Sequence, residues 1–304
     1  MEQPNQSLEL MPEEVKILYI EILAQQILAD DKLHPMEFSD LYLFMFQIGV
    51  SQKSRRKVIN FFCNDTPLAI SEMLDKMMLM APFEAQEAIS FSIIKDFIRI
   101  SRVDQNISPK EMQNLHQLVM QIYQTEDKAR QVIELAEMAI GYDEEFLKGN
   151  LCEPEFSLAE KNLVSNADSI GIPMAAVYFS GSSMGLSAPK MLDKLKDLGL
   201  NELIKASNSG RGIGAMTLLR LALNKGCKDE RTQATVQEAS IQELSRLNRD
   251  TMAALESDMQ ELAAKEKLIS SCSLQTQARF ERICKTYPEA LKVLQSRIDN
   301  LKRV

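Results

Sequence analysis

Tryptophan is absent from this chain, histidine occurs twice, and aromatic residues make up only 6% of its 304 positions. Glycine is sparse as well, at 11 residues. With β-branched residues also few, while Leu, Met, Ala, Gln, Glu and Lys abound, the composition predicts an all-α protein. The five cysteines (Cys63, Cys152, Cys227, Cys272 and Cys284) are scattered and include no Cys-x-x-Cys pair. A zinc site built from thiolates is therefore not expected, and the pattern fits reduced thiols. No uninterrupted apolar run reaches the roughly 18 residues of a membrane-spanning helix. The first residues lack the basic and apolar regions of a secretory signal, so a cytoplasmic protein is expected. An excess of positive charge is missing too: 43 acidic residues face 35 basic ones, for a net charge of −8. That balance argues against a general nucleic-acid-binding surface, which needs clustered Lys and Arg.

What the chain does have is a signature that occurs twice, 74 residues apart. Asp30-Asp31-Lys32-Leu33-His34-Pro35-Met36-Glu37 and Asp104-Gln105-Asn106-Ile107-Ser108-Pro109-Lys110-Glu111 share the pattern Asp-x-x-[Leu/Ile]-x-Pro-x-Glu. An apolar stretch precedes each copy and an apolar-periodic stretch follows it, which reads as a duplicated unit of helix, acidic turn and helix. In the second copy Ser108, Pro109 and Glu111 spell a capping box at a helix start. In the first, His34 replaces the serine, so the cap explains Pro35 and Glu37 only in part. The carboxylates of Asp30, Asp31 and Glu37, and of Asp104 and Glu111, are hard oxygen ligands suited to Ca²⁺, Mg²⁺ or Mn²⁺. Each copy offers only two or three of them. Asp is also an ordinary turn former and Glu an ordinary capping residue.

Along the chain, residues 12–140 read as the repeat-bearing helical domain, each helix with one apolar face. Gly49 marks the end of the second helix, and Ser51 starts a third that runs to about 63; a further helix spans about 68–80. Residues 141–170 turn polar, with Gly141, Gly149, Pro154 and the run Asp143-Glu144-Glu145, and read as a linker with a short helix near 157–168. Residues 171–226 form a small-residue-rich amphipathic segment with helices near 189–198 and 213–224. Residues 227–304 form a long helical region with an apolar stripe of Leu244, Leu247, Leu255, Met259, Leu262 and Ile269. A coiled coil or a helical hairpin fits this stripe, although Asn248 and Thr251 interrupt the alternative seam. Self-association through the long helix is one consequence.

Two motifs touch on catalysis and are outweighed. Gly181-Ser182-Ser183-Met184-Gly185 matches Gly-x-Ser-x-Gly, but a hydrolase of that type needs a histidine after its serine, and His34 and His116 both come before Ser183. Gly210-Arg211-Gly212-Ile213-Gly214 has the wrong spacing for a dinucleotide loop, and no convincing strand precedes it. Around these motifs, apolar residues such as Val177, Phe179 and Leu219 share the segment with Lys190, Lys194, Lys196, Arg211 and Arg220. Such a pattern suits an anionic membrane surface, but packing against protein produces it too and is favoured, because interleaved Asp193, Asp197 and Glu202 dilute the basic face.

The repeat resembles the tellurite-resistance TerB-like family, whose helices pair around an Ala-Asp-Gly-x-[Ile/Leu]-x-x-x-Glu turn. The matching residues are Ala29 to Glu37 and Val103 to Glu111, within residues 12–140; Asp31 and Gln105 stand where the family often has glycine. The resemblance implies an all-helical bundle without catalytic activity, an acidic metal site, and association with stress or phage-defence complexes near bacterial membranes. The expected role is a bacterial, non-catalytic adaptor that engages a partner protein, an NTPase among the candidates, at the inner membrane face. The alternatives are a membrane-remodelling component acting with a dynamin-like GTPase and an enzyme using Ser183.

Overall fold

The computed structural model describes residues 8, 11–30, 32–63, 68–103, 107–150, 153–173, 176–177, 230–269 and 273–302. Among these there are ten helices and no strand. They are α1 (Glu13–Ile27), α2 (Pro35–Gln47), α3 (Gln52–Phe62), α4 (Ile70–Met80), α5 (Phe83–Arg102), α6 (Pro109–Tyr123), α7 (Glu126–Leu147), α8 (Glu153–Ile170), α9 (Glu230–Ile269) and α10 (Leu274–Leu301). The expected segment 171–226, with its two helices, lies outside the described residues apart from a few positions at its start. Of these, Ala176 and Val177 are helical and buried.

The centre of the fold follows from the composition of α1. One apolar face was expected, yet Val15, Ile17, Leu18, Tyr19, Ile20, Ile22, Leu23, Ala24 and Ile27 are all buried, which takes in nearly its whole circumference. A helix apolar all round must be enclosed, and α1 is enclosed by α2, α3, α4, α5 and α6. The same holds for α2, where Phe38, Leu41, Tyr42, Leu43, Phe44 and Met45 are buried without a break in the pattern. On one side α2 meets α1 and α5; the other side is covered by α9 and α10.

The C-terminal region is a helical hairpin. A short connection joins α9 to α10, which forces them antiparallel, and they pack along each other. The inner face of α10 is a stripe of Ile283, Tyr287, Ala290, Leu294 and Ile298. On α9, Leu244, Leu247 and Leu255 are buried within the chain, as are Asn248 and Thr251, the two residues that break the alternative seam. Pro288 sits inside α10. The buried neighbours on both sides of it hold the helix together where one backbone hydrogen bond is lost.

The linker expected from residue 141 starts later. Gly141 and the acidic run lie inside α7, which continues to Leu147. Packing overrides composition here. Asp143 is buried with its Oδ2 3.7 Å from Nζ of buried Lys95 on α5, and Phe146 joins the core. Gly149, at φ +77°, closes the helix, with its own N–H donating to the Phe146 carbonyl at 3.0 Å and that of Asn150 to the Glu145 carbonyl at 3.0 Å. Gly49, at φ +67°, ends α2 by the same closure, as its place in the sequence predicts. The helix expected near 157–168 is the longer α8, whose Phe156, Ala159, Leu163, Ala167 and Ile170 form its buried stripe. It lies on α7.

Polar groups bind the hairpin to the bundle. Asp258 of α9 is buried and accepts two hydrogen bonds from Arg55 of α3, from Nε at 2.7 Å and Nη2 at 3.0 Å. The Tyr42 hydroxyl of α2 donates to the same carboxylate at 3.3 Å and lies 2.5 Å from the Tyr287 hydroxyl of α10. The Phe38 ring meets both tyrosine rings, and the two tyrosines meet each other edge to face. A second tie centres on buried Asp40 of α2. It pairs with Arg297 of α10 and lies 3.8 Å from Nε of Arg99 of α5, whose guanidinium rests 5.3 Å from the Phe44 ring centre.

Burial opposes the Arg55 cation, but its hydrogen bonds to Asp258 and the charge of that carboxylate outweigh burial and raise the pKa of Arg55 above its ordinary value. Burial is also the main force that pushes the Tyr42 and Tyr287 hydroxyls above the ordinary phenol range.

Two predictions follow from this tie. Removing the Asp258 charge leaves Arg55 buried without its counterion, so Asp258→Asn should lower stability by about 3–5 kcal/mol in denaturant unfolding. A loss under about 1 kcal/mol would mean that the pair lies in an effectively solvated seam. The raised phenols give a stability contribution that is intact below the unfolded-state phenol pKa of about 10 and falls as pH climbs beyond it. Of the six tyrosines, Tyr42 and Tyr287 should therefore form tyrosinate only together with unfolding. Burial raises the Tyr123 hydroxyl as well, so in absorbance titration the late step of the Tyr42→Phe/Tyr287→Phe double variant should be smaller by two tyrosinates; ordinary titration of Tyr42 and Tyr287 near pH 10 in a folded protein would contradict the assignment.

Candidate functional site: the two acidic turns

Each signature lies between two helices and opens the second of them. After α1, the Asp30 Oδ1 accepts a hydrogen bond from the Lys32 N–H at 3.0 Å, two residues on, and its Oδ2 lies 3.5 Å from Lys32 Nζ. This is the local aspartate turn that a short carboxylate favours. His34 is extended, at φ −75° and ψ 134°, and its Nδ1 accepts from the Met36 N–H at 3.3 Å. An acceptor at Nδ1 requires the neutral ring with its proton on Nε2. Glu37 Oε2 accepts in return from the His34 N–H at 3.3 Å. The first copy thus forms a reciprocal cap, which was expected in full only for the second.

The second copy closes more tightly. Ser108 Oγ accepts from the Glu111 N–H at 3.2 Å, and Glu111 Oε2 accepts from the Ser108 N–H at 2.6 Å. Glu37 and Glu111 are both buried, each supporting the start of its helix. The copies differ at the apolar position of the signature, where Leu33 is buried and Ile107 is exposed.

Gln26, near the end of α1, links the first half of the arrangement to the second. Its Nε2 donates to Ser101 Oγ at 2.6 Å and to the Glu111 carbonyl at 3.0 Å. Tyr19, two turns earlier, donates from its hydroxyl to Asp96 Oδ2 of α5 at 2.5 Å. Neither contact could be anticipated, because a Gln and a Tyr in an apolar helix carry no signal of their partners some 75 residues away.

Of the five residues put forward as ion ligands, Asp30, Glu37 and Glu111 are described; Asp31 and Asp104 lie outside the described residues. Among the described residues, no three His, Cys, Asp or Glu side chains gather closely enough to hold an ion. Ser183, put forward for serine chemistry, and Phe179 and Leu219, put forward for membrane contact, also lie outside the described set, whereas Val177 of the same apolar group is described and buried in the core. Of the two histidines, His34 caps α2, and His116 Nε2 lies 2.9 Å from Glu126 Oε1. No described helix is long and apolar enough to cross a membrane. Comparison with protein-family models, with curated proteins and with solved structures finds no match to this chain.

The turns as described perform capping chemistry. Ser108→Ala should therefore cost about 1 kcal/mol in thermal or denaturant unfolding. Millimolar Ca²⁺, Mg²⁺ or Mn²⁺ should leave the melting temperature of the parent protein unchanged. A rise with the ion that disappears in Asp30→Asn or Asp104→Asn would establish an ion site instead.

Proposed function

We propose that this chain is a non-catalytic adaptor of the TerB-like kind, built on a duplicated unit of helix, acidic turn and helix, and that it works by engaging a partner protein. Support for the duplication is the matching order α1, turn, α2 and α5, turn, α6, with a reciprocal cap at the start of α2 and of α6. The described acidic groups of the two turns already serve as caps and as a local turn, which leaves the helices, not the acids, to present the working surface.

The observation that carries the partner reading is the corner between α4 and α5. Leu79 is 87% exposed and Phe83 84%, with Met80 between them partly exposed as well. Three large apolar side chains in five residues, turned outward while the other described aromatics are buried or half-buried, form a patch whose exposure favours contact with another protein. A stress- or defence-linked partner, such as an NTPase held at the inner membrane face, is the class that this reading proposes.

Because Leu79 and Phe83 pack on little, charging them should not unfold the protein. Tagged parent protein and a Leu79→Glu/Phe83→Glu variant of equal melting temperature can be purified from native cells, with and without membrane solubilisation. A protein recovered with the parent and lost with the variant is the expected result. Identical recovery from both would remove the corner from the account.

A further inference from the structure

The apolar corner between α4 and α5 has an acidic rim. On α4, Asp75 stands one helical turn before Leu79, and on α5 Glu87 stands one turn after Phe83. Each carboxylate therefore adjoins an exposed apolar side chain on the same helix face. Both also line one groove of 510 Å³, which Gln121 and Gln124 at the end of α6 close on its far side. Glu72 and Glu84, each three residues before one of these carboxylates, are exposed as well.

The partners these acids have within the chain are neutral. Asp75 Oδ1 accepts from Gln121 Nε2 at 2.8 Å, and Glu87 Oε1 accepts from the Tyr123 hydroxyl at 3.4 Å. An ionised carboxylate has about four acceptor positions, so these bonds leave room for further donors. Among the described residues, none of the four carboxylates forms an ion pair. Two cations stand near them. The Lys76 charge favours the ionised form of Glu21 on α1, and Lys128 Nζ rests 5.1 Å from the Tyr123 ring centre. Four carboxylates against these two lysines leave the rim acidic on balance.

Resting on the reading of this corner as a partner surface, we propose that its occupant is a basic amphipathic helix of another protein. An apolar centre with carboxylates on either side calls for apolar residues between cations. No strand occurs among the described residues, so an incoming segment is met there by side chains and not by backbone pairing. A helix meets that demand, because apolar residues at i and i+4 and cations one turn beyond them lie along one face. Leu79 and Phe83 take its apolar face, while Asp75 and Glu87 accept charge-assisted hydrogen bonds from its lysines or arginines. Other occupants suit the rim less well. A second copy of the corner brought up by two-fold symmetry sets carboxylate against carboxylate, and anionic lipid headgroups meet the same repulsion.

The test titrates the full chain with a fluorescent, helix-stabilised peptide of about 15 residues that carries Leu and Phe on one face and Arg beside them, and with a twin that has Glu in place of every Arg. The basic peptide should bind saturably and at least about tenfold tighter than the acidic twin, less so as salt is raised. Asp75→Asn/Glu87→Gln keeps the oxygens that accept from Gln121 and Tyr123 but removes both charges, and should weaken the basic peptide about fivefold. Leu79→Ala/Phe83→Ala should weaken both peptides. Glu134→Gln/Glu144→Gln, exposed acids on α7, should change nothing. A basic peptide that binds no tighter than its twin, or that is weakened equally by the α7 variant, overturns the proposal. So does a parent dimer, or co-sedimentation with vesicles of phosphatidylcholine and phosphatidylglycerol, that Leu79→Ala/Phe83→Ala abolishes. If a native-cell partner depends on Leu79 and Phe83 while the two peptides bind alike, the corner stands as a partner surface and only the basic helix is lost.

Discussion

The carboxylate of Asp258 is the group on which the described architecture turns. A buried carboxylate is tolerable only when its charge is balanced and its oxygens are bonded. Here Arg55 balances it through two bonds and Tyr42 adds a third. These partners come from α3 and α2, while Tyr287 of α10 bonds to Tyr42. Four helices from the two ends of the chain thereby meet at one charge, and none can shift without stranding a polar group. Apolar packing supplies most of the favourable burial but tolerates sliding; the bonds to Asp258 specify one register of the hairpin on α2.

That specification matters because α2 cannot stand with one face open. Its buried run from Phe38 to Met45 leaves no side for solvent, and the first bundle alone covers only half of it. The hairpin is consequently part of the same core as α1, not an appendage. Asp40 repeats the principle two residues before Tyr42, joining α2 to α5 and α10 through two arginines. Among the described surfaces that this closure leaves open is the apolar α4–α5 corner.

Local features of this fold were readable from the sequence, and long-range ones were not. Gly49, Ser51 and the Ser108-x-x-Glu111 box announce helix ends because each acts on backbone groups within a few residues. His34 was harder to read, since it caps only in one tautomer and with one ring nitrogen turned to the backbone. Gly141 and its acidic neighbours looked like a linker because composition cannot show that Asp143 faces Lys95 across α5. Arg55 and Asp258 lie 203 residues apart, and each looks like an ordinary surface charge in its own segment. The seam interrupted at Asn248 and Thr251 left both a coiled coil and a hairpin open, and it gave no sign of what covers α9. At the acidic turns, residue identity was legible, while the commitment of Glu37 and Glu111 to capping became visible only in three dimensions.

Native-state hydrogen exchange tests the integration of hairpin and bundle most directly, because it reports the opening free energy of each helix separately. If α9 and α10 are locked to α2 as described, the buried amides of residues 244–258 and 283–294 should exchange through the same global opening as those of α1 and α2. Exchange of the hairpin amides through a much smaller opening, with α1 and α2 still protected, would show that the C-terminal helices detach on their own. It would contradict the account of a single core.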